Sequence, residues 1–137
     1  MHAIDCFIEA RLAAAGLELS GPADPRTSLR RLSLVLTGLP PTPEEVREFE
    51  LQSVHHSDAS QDAVYEALVD RILDSPHFGE RWARHWMDIV RFAETHGYEW
   101  NHEIRDVWRY RDYLIRAFNS DVPYDQLVRE HIAGDLI

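Results

Sequence analysis

Apolar residues return along this chain three and four positions apart, and nowhere do they hold the strict alternation of a half-buried strand. Ile4, Phe7, Ile8, Leu12 and Ala15 trace the first such stripe, and Gly16 stands where a left-handed residue would stop it. Asp24 before Pro25 reads as an N-cap with proline in the first helical position, opening a helix whose buried stripe is Leu29, Leu32, Val35 and Leu36 up to Gly38. After the stiff Leu39-Pro40-Pro41, the run Thr42-Pro43-Glu44-Glu45 is a capping box for a short helix carrying Val46 and Phe49.

The polar stretch 53–60, with His55 and His56, reads as a mobile loop and the one place for an internal insertion. Tyr65, Leu68, Val69, Ile72 and Leu73 mark a further helix ended by Ser75-Pro76. The chain restarts near Gly79 with Trp82, Trp86, Ile89, Val90 and Ala93 on one face, until Gly97 breaks it. Val107, Tyr110, Leu114 and Phe118 then lead to a stop at Asn119, and Pro123 begins a last helix with Tyr124, Leu127 and Val128, closed by Gly134. The expected fold is all-α, a compact bundle of about six to seven helices in a single domain over the whole chain.

Composition narrows the function classes. A chain of 137 residues suits one hydrophobic core. Its net charge of -10, from 24 acidic and 14 basic residues, repels phosphate backbones and anionic bilayers, so nucleic acid is not an expected partner. No apolar run approaches the ~18 residues of a membrane span, and no membrane insertion is expected. Every basic residue is arginine, which bars Schiff-base and P-loop lysine chemistry and fits a GC-rich genome. Cys6 is the one cysteine, so the sequence offers no internal disulfide, no cysteine zinc site and no C-x-x-C-H segment for covalent haem; no cofactor is expected in this chain. The start has no charged n-region followed by a long apolar one, as a signal peptide would.

Three segments carry a family likeness. They are Ser28-Leu29-Arg30-Arg31-Leu32 leading to Leu36-Thr37-Gly38-Leu39-Pro40-Pro41-Thr42-Pro43-Glu44-Glu45-Val46; Ser75-Pro76-His77-Phe78-Gly79-Glu80-Arg81-Trp82-Ala83-Arg84-His85-Trp86; and Trp108-Arg109-Tyr110-Arg111-Asp112-Tyr113, continued by Ala117-Phe118-Asn119, Pro123-Tyr124-Asp125 and Ala133-Gly134-Asp135-Leu136. Across nearly the whole chain they resemble domain-of-unknown-function family 1549, the planctomycete cytochrome-associated domain called PSCyt-two. The resemblance implies a fragment or module of a large, exported, multidomain protein, with haem c held by a neighbouring domain. It implies an extracytoplasmic setting and other domains of the parent as partners, and it implies no known activity.

Several polar residues qualify as sites. Glu80, Arg84, Asp88 and Arg91 are spaced as a solvated ladder of ion pairs, which outweighs a catalytic use of Asp88. His85 projects between Phe92 and Ile89 at the edge of the apolar stripe, as a hydrogen-bonded boundary histidine. Arg111 projects into the apolar arc of Leu114, Phe118, Ile115 and Val107, where a guanidinium needs a carboxylate; Asp88 and Glu94 are the candidates for a structural ion pair. The sharper alternative is an anion-binding arginine in a cleft.

The run from Thr95 to Glu103 crowds His96, Tyr98, Glu99, Trp100, His102 and Glu103 around Gly97, as a binding loop would, yet its spacing matches no established zinc motif and the family pattern often has Asn in place of His96. His131 projects into the stripe of Tyr124, Leu127 and Val128 as a satisfied polar core group, where the family often carries Gln. The leading functional reading is an interaction or scaffolding domain whose contact surface is shaped by Arg111, Tyr98 and Trp100. The rival is an enzymatic, hydrolytic subdomain with a site near His85, Asp88 and His96, completed by a neighbouring domain.

Overall fold

The computed structural model of the chain describes residues 3–54 and 58–136. Within them run seven helices: α1 Ala3–Ala14, α2 Pro25–Leu36, α3 Pro43–Val54, α4 Asp58–Leu73, α5 Pro76–Ile89, α6 Trp108–Asn119 and α7 Tyr124–Ala133. No strand occurs among the described residues, only an isolated bridge between Thr95 and Glu103. None of the helices is long and apolar enough to cross a membrane among the described residues.

Side chains satisfy the first free N–H groups of three helices, as their sequences dictate. Asp24 accepts from the Thr27 amide at 2.9 Å ahead of Pro25, and the Thr27 contacts hold its carboxyl below the usual range. Glu45 donates its amide to Thr42 Oγ1 at 3.2 Å while its carboxylate accepts from the Thr42 amide at 2.8 Å, a reciprocal capping box. Ser75 caps α5, whose first residue is Pro76 and not a position near Gly79. The polar stretch is shorter than its composition suggests: Ser53 lies in α3, and α4 begins at Asp58. His55 and His56 lie outside the described residues.

The helix ends are less visible in the sequence. At α5 the Phe92 amide donates to the Met87 carbonyl at 2.9 Å and the Arg91 amide to Asp88 at 3.4 Å, with Arg91 at φ 59°. That is a Schellman ending with arginine where glycine is usual. The apolar face therefore does not continue to Ala93: Ile89 and Val90 are exposed, and Phe92 is turned to stack on Tyr110 at 5.8 Å. Asp121, at φ 47°, ends α6 in the same way, with the Val122 amide on the Ala117 carbonyl at 3.0 Å.

Two hydrophobic clusters result. Leu29, Phe49, Leu68 and Ile72 join α2, α3 and α4, while Ala83, Leu114, Ala117 and Leu127 join α5, α6 and α7. The second depends on a close crossing of α5 and α6. Gly79 is buried, and its amide donates to Asn119 Oδ1 at 2.7 Å. A Cβ there would press on the Ile115 carbonyl and lie 2.6 Å from the Asn119 side chain. Arg81 reaches from α5 to the end of α2, where Gly38 at φ 74° leaves room for it. α1 has no buried residue, and its Phe7 is 81% exposed.

Replacing Gly79 by Ala is expected to lower stability by about 1–3 kcal/mol through backbone overpacking. Gly21→Ala, where a Cβ meets nothing within 4 Å, should leave the urea midpoint nearly unchanged.

Candidate functional site

The α5–α6 crossing presents one face of α6 to α7. Tyr110 and Tyr113, three residues apart, share that face, and Gln126, Glu130 and His131 meet them from α7. Between the two helices opens a cleft of about 810 Å³, lined by Tyr110, Tyr113, Gln126, Arg129, Glu130, His131 and Gly134.

His131 ties three helices together. Its Nδ1 lies 2.7 Å from the Leu127 carbonyl one turn back, and since a carbonyl only accepts, Nδ1 carries the proton. Nε2 is thereby the acceptor. It receives the indole N–H of Trp86 from α5 at 2.9 Å and lies 2.6 Å from the Tyr110 hydroxyl of α6. Trp86 and Tyr110 also meet the imidazole edge-on, at 5.2 and 5.6 Å between ring centres.

Beside this junction the Tyr113 hydroxyl donates to Glu130 Oε2, and Gln126 Nε2 donates to Glu130 Oε1 at 2.7 Å. The hydroxyl and the amide hold the Glu130 carboxyl below its ordinary range. Burial, and then the adjacent carboxylate, push the Tyr113 phenol far above its usual value. Burial raises the Tyr110 phenol as well. Arg129 turns back on its own helix, with Nε on the Asp125 carbonyl at 3.2 Å and Nη2 on the Asp125 carboxylate.

These pairings limit the chemistry available. Both imidazole nitrogens of His131 are engaged, and the Tyr113 phenol donates to Glu130, so the titratable groups of the cleft are already hydrogen-bonded to one another. Among the described residues, no group of three His, Cys, Asp or Glu side chains gathers to hold a metal ion.

The residues singled out in the sequence lie elsewhere. His85 is exposed, edge-on to the Trp82 ring at 5.6 Å, and Asp88 and His96 are exposed as well. Among the described residues, no side-chain hydrogen bond or ion pair joins these three. The expected ladder of Glu80, Arg84, Asp88 and Arg91 does not form: Glu80 pairs with His77 at 2.9 Å, and Arg91 lies past the helix end.

Arg111 is not enclosed by the apolar arc, since 43% of its side chain is exposed. Its guanidinium lies 3.3 Å from Asp112 and 3.9 Å from Glu94, and Asp88 is not among its partners. Tyr98 and Trp100 are exposed on a loop pinned by the His96 amide on the His102 carbonyl at 3.1 Å, with Trp100 stacked against His102 at 6.4 Å. Sequence reasoning placed His131 as a satisfied polar group and passed over Tyr113 and Glu130. Their one signal was the three- and four-residue spacing of polar residues with tyrosines, which solvated helices share.

The chain belongs to the family described as PSCyt2, protein of unknown function (DUF1549), which matches residues 3–137. No curated protein and no solved structure among those compared matches the chain.

The Tyr113–Glu130 bond has a pH signature. Because the carboxyl is lowered in the folded state, its contribution is present above the ordinary 4.5 and is lost as pH falls through the lowered value. Because the phenol is raised, its contribution is present below the ordinary 10.0 and is lost as pH climbs beyond it. Tyr113→Phe is therefore expected to flatten the pH dependence of the urea midpoint at both the acid and the alkaline end.

Proposed function

We propose that this member of the DUF1549 family is an interaction or scaffolding domain of a larger, exported, cytochrome-c-linked planctomycete protein, with haem held by a neighbouring domain. The observation that carries the interaction reading is its surface. The chain exposes 10911 Å². A self-contained domain of 15.9 kDa exposes about 7,400 Å². The difference is about half as much again, and a stable contact removes ~800 Å² from each partner.

Much of that surface is apolar and grouped on a few elements. On and after α1, Ile4, Phe7, Ile8, Leu17 and Leu19 are exposed; on and after α7 so are Tyr124, Ile132 and Leu136; the loop before α6 adds Tyr98 and Trp100. Apolar groups left in water at this density mark contact surfaces. The partners proposed are the other domains of the parent protein. The family resemblance supplies the cytochrome and planctomycete context, and the acidic surface, at net charge -10, favours a protein partner over nucleic acid.

Amide hydrogen exchange on the isolated chain and on the full-length parent tests this reading. The expected result is strong slowing in the parent across α1 and across the loop holding Tyr98 and Trp100, with little change at Leu29 and Leu114, which are already buried. Identical exchange in both proteins, or substrate turnover by the isolated chain, would overturn it.

A further inference from the structure

The cleft between α6 and α7 contains a carboxylate without a counter-ion. Glu130 is half-buried, and both donors to it, the Tyr113 hydroxyl and the Gln126 amide, are neutral. Among the described residues no arginine or histidine reaches it within ion-pair distance. The one cation on the cleft wall, Arg129, is engaged by Asp125. Its two neutral donors already favour the charged form, and a cation entering the cleft would add the ion pair that no described residue makes with it.

The walls suit a particular kind of cation. Tyr110 and Tyr113 line the cleft with their rings stacked on each other at 6.2 Å, an aromatic wall against which the alkyl part of a cation packs beside the carboxylate. A volume of about 810 Å³ is that of a small-molecule pocket, open enough for a chain-borne group to enter. The net charge of -10 raises the local concentration of cations and disfavours anions.

We propose that this cleft binds an alkylammonium group, seated against Tyr113 and Tyr110 with Glu130 as its counter-ion. The group belongs to a small organic amine or to a lysine side chain of another protein. It does not come from a lysine of a second copy, because the chain has none. The inference stands on the cleft alone and does not depend on the scaffolding reading; a partner's lysine would give that reading its anchor.

Calorimetric titration of the full chain tests it, with n-butylammonium chloride, neutral n-pentanol, a blocked peptide bearing one lysine, and the same peptide with the lysine acetylated. Butylammonium is expected to bind roughly tenfold more tightly than pentanol, and Glu130→Gln to remove that advantage. That variant keeps an oxygen for the Tyr113 hydroxyl, and its helical circular dichroism should match the parent. Arg129→Gln should act in the opposite direction, tightening the amine about threefold by removing a like charge. Binding by butylammonium and the lysine peptide alike, or by the amine alone, supports the proposal with a free amine as ligand. Binding by the lysine peptide alone, abolished by acetylation, supports it with a protein side chain as ligand. Pentanol binding as tightly as butylammonium, Glu130→Gln binding unchanged, both variants weakening equally, or no binding by either amine would overturn it.

Discussion

One imidazole decides how the last helix sits. His131 is held by its own helix through the Leu127 carbonyl and takes the Trp86 indole from α5 on its other nitrogen, with the Tyr110 hydroxyl of α6 lying 2.6 Å from the same atom. Removing that ring would strand the Trp86 indole N–H in a partly buried place, where an unpaired donor costs about 1–3 kcal/mol. The contact also sets direction. Hydrophobic burial of Leu127 alone would let α7 slide or roll on the small surface of Ala83, Leu114 and Ala117, whereas the polar contacts of His131 with Trp86 and Tyr110 fix one register.

That register has consequences next door. With His131 turned inward to the junction, the adjacent Glu130 is brought to the rim, where Tyr113 meets it and the cleft opens. The close α5–α6 crossing at Gly79 stands upstream of both, because it determines how Tyr110 and Tyr113 face α7. The Schellman turn at Arg91 adds a second support by placing Phe92 against Tyr110. A structural histidine and a charged cleft are thus adjacent products of one docking geometry.

Much of this architecture is written locally. Asp24-Pro25, the Thr42 capping box, Ser75-Pro76 and Gly16 are short-range signals, and each places a helix boundary. The stop at Arg91 escaped notice because its left-handed residue is not glycine, so the apolar run through Ile89, Val90 and Ala93 looked like a continuing face. Arg111 misled for a related reason: a helical projection locates a residue relative to its own helix, while exposure depends on what packs against that side, and a long side chain can carry its charge outward to Asp112. The cleft was the least legible feature. Glu130, Gln126 and Tyr113 look like ordinary surface residues until two helices distant in sequence bring them together.

The dependence of α7 on His131 is most directly tested by long-range nitrogen–proton NMR of the histidine rings at neutral pH. Such spectra distinguish the two tautomers of each imidazole. His131 is expected as the Nδ1–H tautomer, with its Nε2 coupled as an acceptor to the Trp86 indole proton. An Nε2–H tautomer, or an indole proton of Trp86 exposed to exchange like that of a surface tryptophan, would contradict it.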